Sequence, residues 1–487
     1  MSEWETVIGL EVHCELATET KLFCGCPNDF GAEPNTSVCP VCLGLPGSLP
    51  VLNERAVEFA LRVGEALHCE VPQQSIFHRK NYFYPDMPKN YQVSQYDEPI
   101  CGNGWLMVGS ERIGIERAHM EEDAGKTSHV GGDSGGRVHG SDHSLVDYNR
   151  AGVPLMEIVS KPDIRSPEEA RAYVTELRSV LEAIGVSDVK MEEGSLRIDA
   201  NISLRPAGSE KLGTRAEIKN MNSLRSLVRA LEYEAERQAA VLEAGDVVVQ
   251  ETRHWDEASG RTHSLRSKEE SHDYRYFPEP DLVPIAPSGE WRDRVRAAMP
   301  ELPAARKARL IGSWGISDVD AGVLVGTAGL ADYAEAAVAA GAPGREVANW
   351  VTGDLLAHLK ESGAAPAALA LPPEGLAELV RMVGDGKLSR PSAKEVLGLA
   401  LAGGGSPAAI VAERGLAQVS DEGELAAVVA AVLDAHTAEV ERYRTGEDKD
   451  RKKLRGFFMG KVMAEMKGRG NPAVLNRLID EALAGPS

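Results

Sequence analysis

Three stretches of this chain alternate, residue by residue, between an apolar face and a face crowded with ionisable groups. In TVIGLEVHCEL, Ile8, Leu10, Val12, Cys14 and Leu16 oppose Glu11, His13 and Glu15. In SLRIDANISLRP, Leu196, Ile198, Ala200, Ile202 and Leu204 oppose Ser195, Arg197, Asp199, Asn201 and Ser203, and in TRAEIKN, Ala216 and Ile218 oppose Arg215, Glu217 and Lys219. Successive side chains of an extended chain point to opposite sides, so a period of two predicts strands with one face on a core. The second face is unusual. A merely solvated face would carry Thr, Lys and scattered charge, whereas here His, carboxylates, Asn and Arg are mixed. Between these stretches, RIGIERAHMEEDAGKT is a strand-like run that ends in Glu121, Glu122 and Asp123. Carboxylates at that density repel one another unless a cation sits among them. Any one strand alone reads equally well as a wet face of an antiparallel sheet. Together, oxygen donors with an imidazole suit Mg²⁺ or Mn²⁺, and nearby Arg and Lys suit an anionic co-substrate such as ATP.

At 487 residues the chain is long enough for several domains with real cores. It begins with no basic, apolar leader, and no run of about 18 apolar residues occurs, so a soluble, cytoplasmic protein is expected. The formal charge of −21 argues against indiscriminate nucleic-acid binding but leaves room for a local basic patch.

Seven cysteines are too few for a disulfide scaffold at this length, and their positions say more than their number. Cys24-Gly-Cys26, twelve residues, then Cys39-Pro-Val-Cys42 makes two close thiol pairs in a loop rich in Pro, Gly and Asn. That spacing predicts a tetrahedral Zn²⁺ site, structural because four thiolates leave no open position. Cys14, Cys69 and Cys101 are expected in the core. Two familiar patterns fail. GGDSGG at 131–136, near His129, His139 and His143, imitates a serine-protease segment, but its composition is that of a loop. AGKT at 124–127 imitates a phosphate-binding loop, but Met120 stands where the first Gly belongs.

Helices alternate with the strands. SPEEARAYVTELRSVLEAIG has Ser166 as N-cap, Pro167 in its first turn, an apolar stripe through Tyr173, Val174, Leu177, Leu181 and Ile184, and Gly185 as stop. Residues 222–245 repeat the pattern. The expected class is therefore α+β, an antiparallel-sheet cradle with flanking helices, through residue 290. From Trp291 the chain turns rich in Ala, Leu and Glu at helical spacing, which predicts an all-α domain over 291–405. The Gly-rich run 402–407 reads as a hinge before an α-helical tail, 406–487. From Arg442 to Arg469 that tail holds ten Lys or Arg against four Asp or Glu, a local +6. With Phe457 and Phe458 interleaved, it could grip an RNA backbone.

Several long blocks carry a resemblance: HRKNYFYPDMPKNYQVSQYD (His78 to Asp97), HMEEDAGK, VDYNRAGVPLMEIV (Val146 to Val159), VKMEEGSLRIDANIS, DYRYFPEPDL and the terminal NPAVLNRLIDEAL. Together they resemble the B-subunit of the aspartyl/glutamyl-tRNA amidotransferases over essentially the whole chain, with a longer Gly/His loop at 131–143 as a local departure. The resemblance implies a glutamine-synthetase-like cradle in an enzyme of three different chains, the others being an amidase (the A-subunit) and a small protein (the C-subunit). It implies that ATP phosphorylates the side-chain carboxylate of misacylated Glu-tRNA(Gln) or Asp-tRNA(Asn), and that ammonia displaces the phosphate. It implies Glu11, His13, Glu121 and Glu122 as Mg²⁺ ligands. Arg197, Asp199, Asn201 and Lys80 would contact phosphate or carboxylate or line the ammonia route, and the tail would contact tRNA. No amidase-type signature is present, so ammonia must come from the partner. Two other classes fit less well. A non-catalytic RNA-binding scaffold would not carry acidic polar faces, and a free-standing carboxylate–amine ligase leaves the basic tail and the missing ammonia source unexplained.

Overall fold

The computed structural model describes residues 4–131, 141–267, 274–403, 405–419, 421–466 and 468–484. Most of the GGDSGG run, together with His139 and Gly404 of the expected hinge, lies outside the described residues. The chain divides into two units, residues 1–302 and 303–487.

The first unit is built on an eleven-stranded sheet. Its strands are β1 (Trp4–Glu15), β2 (His78–Asn81), β3 (Tyr91–Ser94), β4 (Cys101–Val108), β5 (Glu111–Glu122), β8 (Pro154–Ser160), β9 (Leu196–Pro206), β10 (Ala216–Lys219), β11 (Glu251–Asp256), β12 (Arg261–Ser267) and β13 (Phe277–Pro278). The strands β6 (Lys126–Val130) and β7 (His143–Asp147) form a separate hairpin. The order is β12-β11-β10-β9-β1-β8-β5-β3-β2-β13, with β4 also paired to β5. All pairs are antiparallel except β10–β11.

One face of this sheet is the core. Ile8, Leu10, Val12 and Cys14 of β1 and Ile198, Ala200 and Ile202 of β9 are fully or nearly fully buried, as the alternation predicts. The helices α1 (Glu54–Ala66), α2 (Pro167–Ala183), α3 (Leu224–Glu243) and α4 (Gly289–Ala297) share that apolar cluster. Each buried Leu or Ile stabilises by about 1.5–3 kcal/mol relative to exposure, so the apolar face alone holds the layers together. Ser166 caps α2 by accepting from the Glu169 N–H at 3.1 Å, with Pro167 in the first turn. The first unit runs past residue 290, because α4 contributes Val295 to the same core.

Among its described residues the second unit has helices as its main elements, a single β-bridge between Val419 and Gly470, and two apolar clusters, one spanning Leu310 to Val411 and one spanning Leu425 to Leu483. The division between them falls after the Gly-rich run. The helix Pro407–Arg414 places Ile410 and Val411 in the first cluster, so the segment at 402–407 joins helices that pack together. In the basic helix Asp448–Glu465, Phe458 is fully buried and Phe457 meets His436 edge-on, while Arg451, Lys452 and Lys453 are exposed. Among the described residues, no helix is long and apolar enough to cross a membrane.

Candidate active site and metal centres

The polar face of the sheet is built around β1, which pairs with a strand on each side. Register sets Glu11 opposite Asp199, and His13 opposite Arg197 on β9 and Glu157 on β8. One strand further out, His119 of β5 pairs with Glu157. Directly opposed antiparallel residues carry Cβ atoms about 4.5–5.5 Å apart, so these side chains are neighbours by construction.

Three polar groups result. In the first, one donor atom each from His13, Glu121 and Glu157 lies within 4.8 Å of the others. His13 Nδ1 is 3.1 Å from Glu121 Oε1, and Arg117 Nη2 is 3.7 Å from Glu157 Oε1. Burial disfavours charge on His13, but the facing carboxylates Glu121, Glu157 and Asp199 override it and raise the imidazole to about 9. Burial alone would raise Glu157; His119, His13 and Arg117 hold it well below the usual carboxylate range. The group thus draws positive charge, which is the demand a divalent cation meets.

In the second group, Glu11, Asp199 and Glu217 converge within the same limit. Lys219 Nζ lies 2.5 Å from Asp199 and 3.1 Å from Glu217, Asn201 donates to Glu11 at 3.0 Å, and the Thr252 hydroxyl donates to Glu217 at 2.7 Å. Burial, with Glu157 and Glu217 nearby, raises Glu11. In the third, Asp123 accepts from Arg197 at 2.8 Å and is 3.3 Å from Arg150. Burial and Asp123 push Glu15 up to about 7. A cavity of about 780 Å³ opens beside this end, lined by Glu15, Asn28, Lys126, Arg150, Glu193 and Ser195 among others.

One expected ligand departs from the set. Glu122 follows Glu121 on β5 and therefore points to the opposite face, where Lys89 pairs with its Oε1 and the Val93 N–H donates to the same atom at 2.8 Å. Glu157 occupies the place expected of Glu122, and Glu11 belongs to the second group. Glu157 had a signal in the sequence: it is a lone carboxylate in the otherwise apolar strand PLMEIVS. His119, Glu217 and Lys219 also stand at the site beyond the residues expected there. Lys80 is half-buried, with Nζ 4.9 Å from the Tyr274 ring centroid. Burial works against its charge, while Tyr276, Glu121 and Tyr274 favour it and raise it on balance.

The four loop cysteines also meet. One sulfur from each of Cys24, Cys26, Cys39 and Cys42 lies within 4.8 Å of the rest, and none is in a disulfide. Cys39 and Cys42 sulfurs are 3.9 Å apart. Zn–S bonds of about 2.3 Å in a tetrahedron give an edge of about 3.8 Å, so the spacing fits zinc. The Cys39 N–H donates to Cys42 Sγ at 3.1 Å, and the fully buried Lys21 ammonium lies 3.8 Å from it. Hydrogen bonding from Cys24 outweighs burial and pulls the Cys42 thiol down to about 5, the thiolate character a metal ligand needs. Leu22 N donates to the Gly152 carbonyl and Gly152 N to the Asp123 carbonyl, both at 2.9 Å, which ties this loop to the end of β5. Gly152 adopts φ of +86°, a conformation that favours glycine.

Comparison with known proteins shows the family. Residues 6–293 match the family described as the GatB/GatE catalytic domain, and residues 332–483 match the GatB domain. The B-subunit of the aspartyl/glutamyl-tRNA(Asn/Gln) amidotransferase of Brevibacillus brevis is 51% identical, covering 99% of both chains. Its counterpart from Frankia casuarinae is 54% identical over 99% of this chain and 96% of its own, and that from Moorella thermoacetica 53% identical over 99% and 100%. The chain belongs to the B-subunit family of the aspartyl/glutamyl-tRNA(Asn/Gln) amidotransferases.

Proposed function

We propose that this chain amidates the side-chain carboxylate of misacylated Glu-tRNA(Gln), Asp-tRNA(Asn) or both, using ATP. Ammonia is delivered by a partner amidase, the A-subunit, in a complex that includes the small C-subunit. The observation that carries the reading is the pair of acidic groups, one of them containing His13, on the polar face of a sheet that lies within the family's catalytic domain. The same arrangement supports a glutamine-synthetase-like cradle.

A carboxylate resists attack by ammonia because its leaving group would be oxide. Attack of a carboxylate oxygen on the γ-phosphorus breaks the bond to ADP and forms an acyl phosphate. Ammonia then adds to the acyl carbon, the C–O bond breaks, inorganic phosphate leaves, and the amide nitrogen releases a proton to water or a nearby base. The chain must neutralise phosphate charge during the first step. Lys219, Arg197 and Arg117 on the polar face would supply that charge, and Asn201 and Asp199 would orient the groups beside them; their ion pairs and hydrogen bonds on this face support the reading. His13, Glu121 and Glu157 would hold Mg²⁺, whose Lewis acidity withdraws charge from the transferring phosphoryl oxygens. The cavity beside Glu15 has room for the aminoacyl ester and terminal nucleoside. Zinc in the cysteine cluster is structural, and the exposed cations of the Asp448–Glu465 helix contact the tRNA backbone.

Reconstitution tests this. The complex should convert Glu-tRNA(Gln) to Gln-tRNA(Gln) with ammonium chloride as donor, and ATP cleavage should depend on the misacylated tRNA. ATP cleavage that is indifferent to the charged tRNA would sink the proposal.

A further inference from the structure

We infer that His119 is a positioning residue that holds Glu157 and Glu121 in the geometry in which, with His13, they take a divalent cation. The inference rests on the assignment of that group as the Mg²⁺ site.

His119 stands on β5 directly opposite Glu157 of β8 and is 3% exposed. Its Nε2 is 3.4 Å from Glu157 Oε2 and 4.0 Å from Glu121 Oε2. It therefore reaches both carboxylates, yet it is not one of the three residues whose donor atoms converge. Arg117 approaches the other oxygen of Glu157 at 3.7 Å, so the two oxygens are contacted by different side chains. The second ring nitrogen, Nδ1, is buried with no hydrogen-bond partner. A buried polar atom left unsatisfied opposes folding, and a Leu at this position would avoid it. What the imidazole supplies is at its other end. The Nε2 end of the imidazole, within 4.0 Å of both carboxylates, restrains groups that would otherwise repel and splay apart, which keeps an oxygen of each turned toward His13. Outer partners of this kind fix ligand orientation, and their loss typically weakens metal binding by about 10–100-fold.

Mn²⁺ binding to the full complex, followed by its paramagnetic resonance signal, separates the possibilities. Wild type should bind Mn²⁺ in a manner that H13A abolishes; binding unaffected by H13A would overturn the metal assignment itself. With that control in place, H119L, which removes the donor, should raise the Mn²⁺ dissociation constant about tenfold or more, while H119Q, which keeps an N–H, should stay within about threefold. Thermal unfolding in chelator reads the fold separately: H119L leaves buried Glu157 without its imidazole partner and should lower Tm, whereas H119Q should stay close to wild type. In turnover, the loss in H119L should be restored by excess Mg²⁺, with the KM for aminoacyl-tRNA unchanged. Unaltered or tighter Mn²⁺ binding by folded H119L would overturn the inference, as would equal weakening in H119L and H119Q accompanied by loss of stability.

Discussion

Glu121 and Glu122 are consecutive on β5, and their side chains serve opposite faces of the sheet: Glu121 meets His13 at 3.1 Å, whereas Glu122 pairs with Lys89. Two adjacent residues of the same type should therefore fail differently when changed.

E121Q or E157Q should lower tRNA-dependent ATP cleavage by at least about 100-fold while leaving the dissociation constant for tRNA within about threefold, because metal ligands act on phosphoryl transfer and most tRNA affinity comes from backbone contacts elsewhere. Single-turnover ATP assays and filter binding measure the two. A parallel loss of both would move these residues from chemistry to folding.

E122Q should act first on stability. Lys89 and Glu122 are both largely buried, and removing one charge of a buried pair costs about 3–5 kcal/mol. Thermal unfolding should show a clearly lower Tm for E122Q than for wild type, while ATP cleavage per folded molecule stays within about threefold; an unchanged Tm with lost turnover would contradict the assignment of faces.

Elemental analysis of the purified protein should find about one equivalent of zinc, and C39S should lower it together with Tm. Folded C39S protein should keep its turnover number, since the four-thiolate cluster is closed to substrate. A zinc-free wild type of undiminished stability would refute a structural metal.

The isolated chain should release no ammonia from glutamine, because its sequence carries no amidase-type serine- and glycine-rich signature and no cysteine in a recognisable nucleophile context. A coupled glutamate assay on protein free of the amidase partner checks this.

Truncation after Leu416 removes the cluster spanning Leu425 to Leu483 and leaves Ile410 and Val411 packed with the helices before them. The apparent KM for aminoacyl-tRNA should rise about tenfold or more and the salt dependence of binding should become shallower, because fewer counterions are released. Ammonium-dependent turnover at saturating tRNA should survive.

Much of this could be read from the sequence. The strands β1, β9 and β10 announced themselves because one face is apolar and the other is not, and Ser166 and Pro167 marked the start of α2. Glu157 was harder to see because β8 is buried on both faces, so its one carboxylate interrupts an apolar run instead of joining an alternation. The misplacement of Glu122 followed from treating HMEED as a cluster; the pleat separates its members. The end of the first unit lies beyond residue 290 because a short polar helix, α4, is anchored by the single buried side chain of Val295. Phe458 looked like a partner for bases, but without its neighbours' positions a sequence cannot distinguish a stacking ring from a core ring.

Because β1 is paired along both edges, its donors are set by backbone hydrogen bonding. A slip of one residue would turn Val12 and Cys14 to the cradle and send Glu11 and His13 into the apolar layer. No mis-paired intermediate could therefore have partial activity. During refolding, catalytic competence should return in one step with the correct β1–β8 and β1–β9 alignment, and chains trapped out of register should be both inert and prone to aggregate.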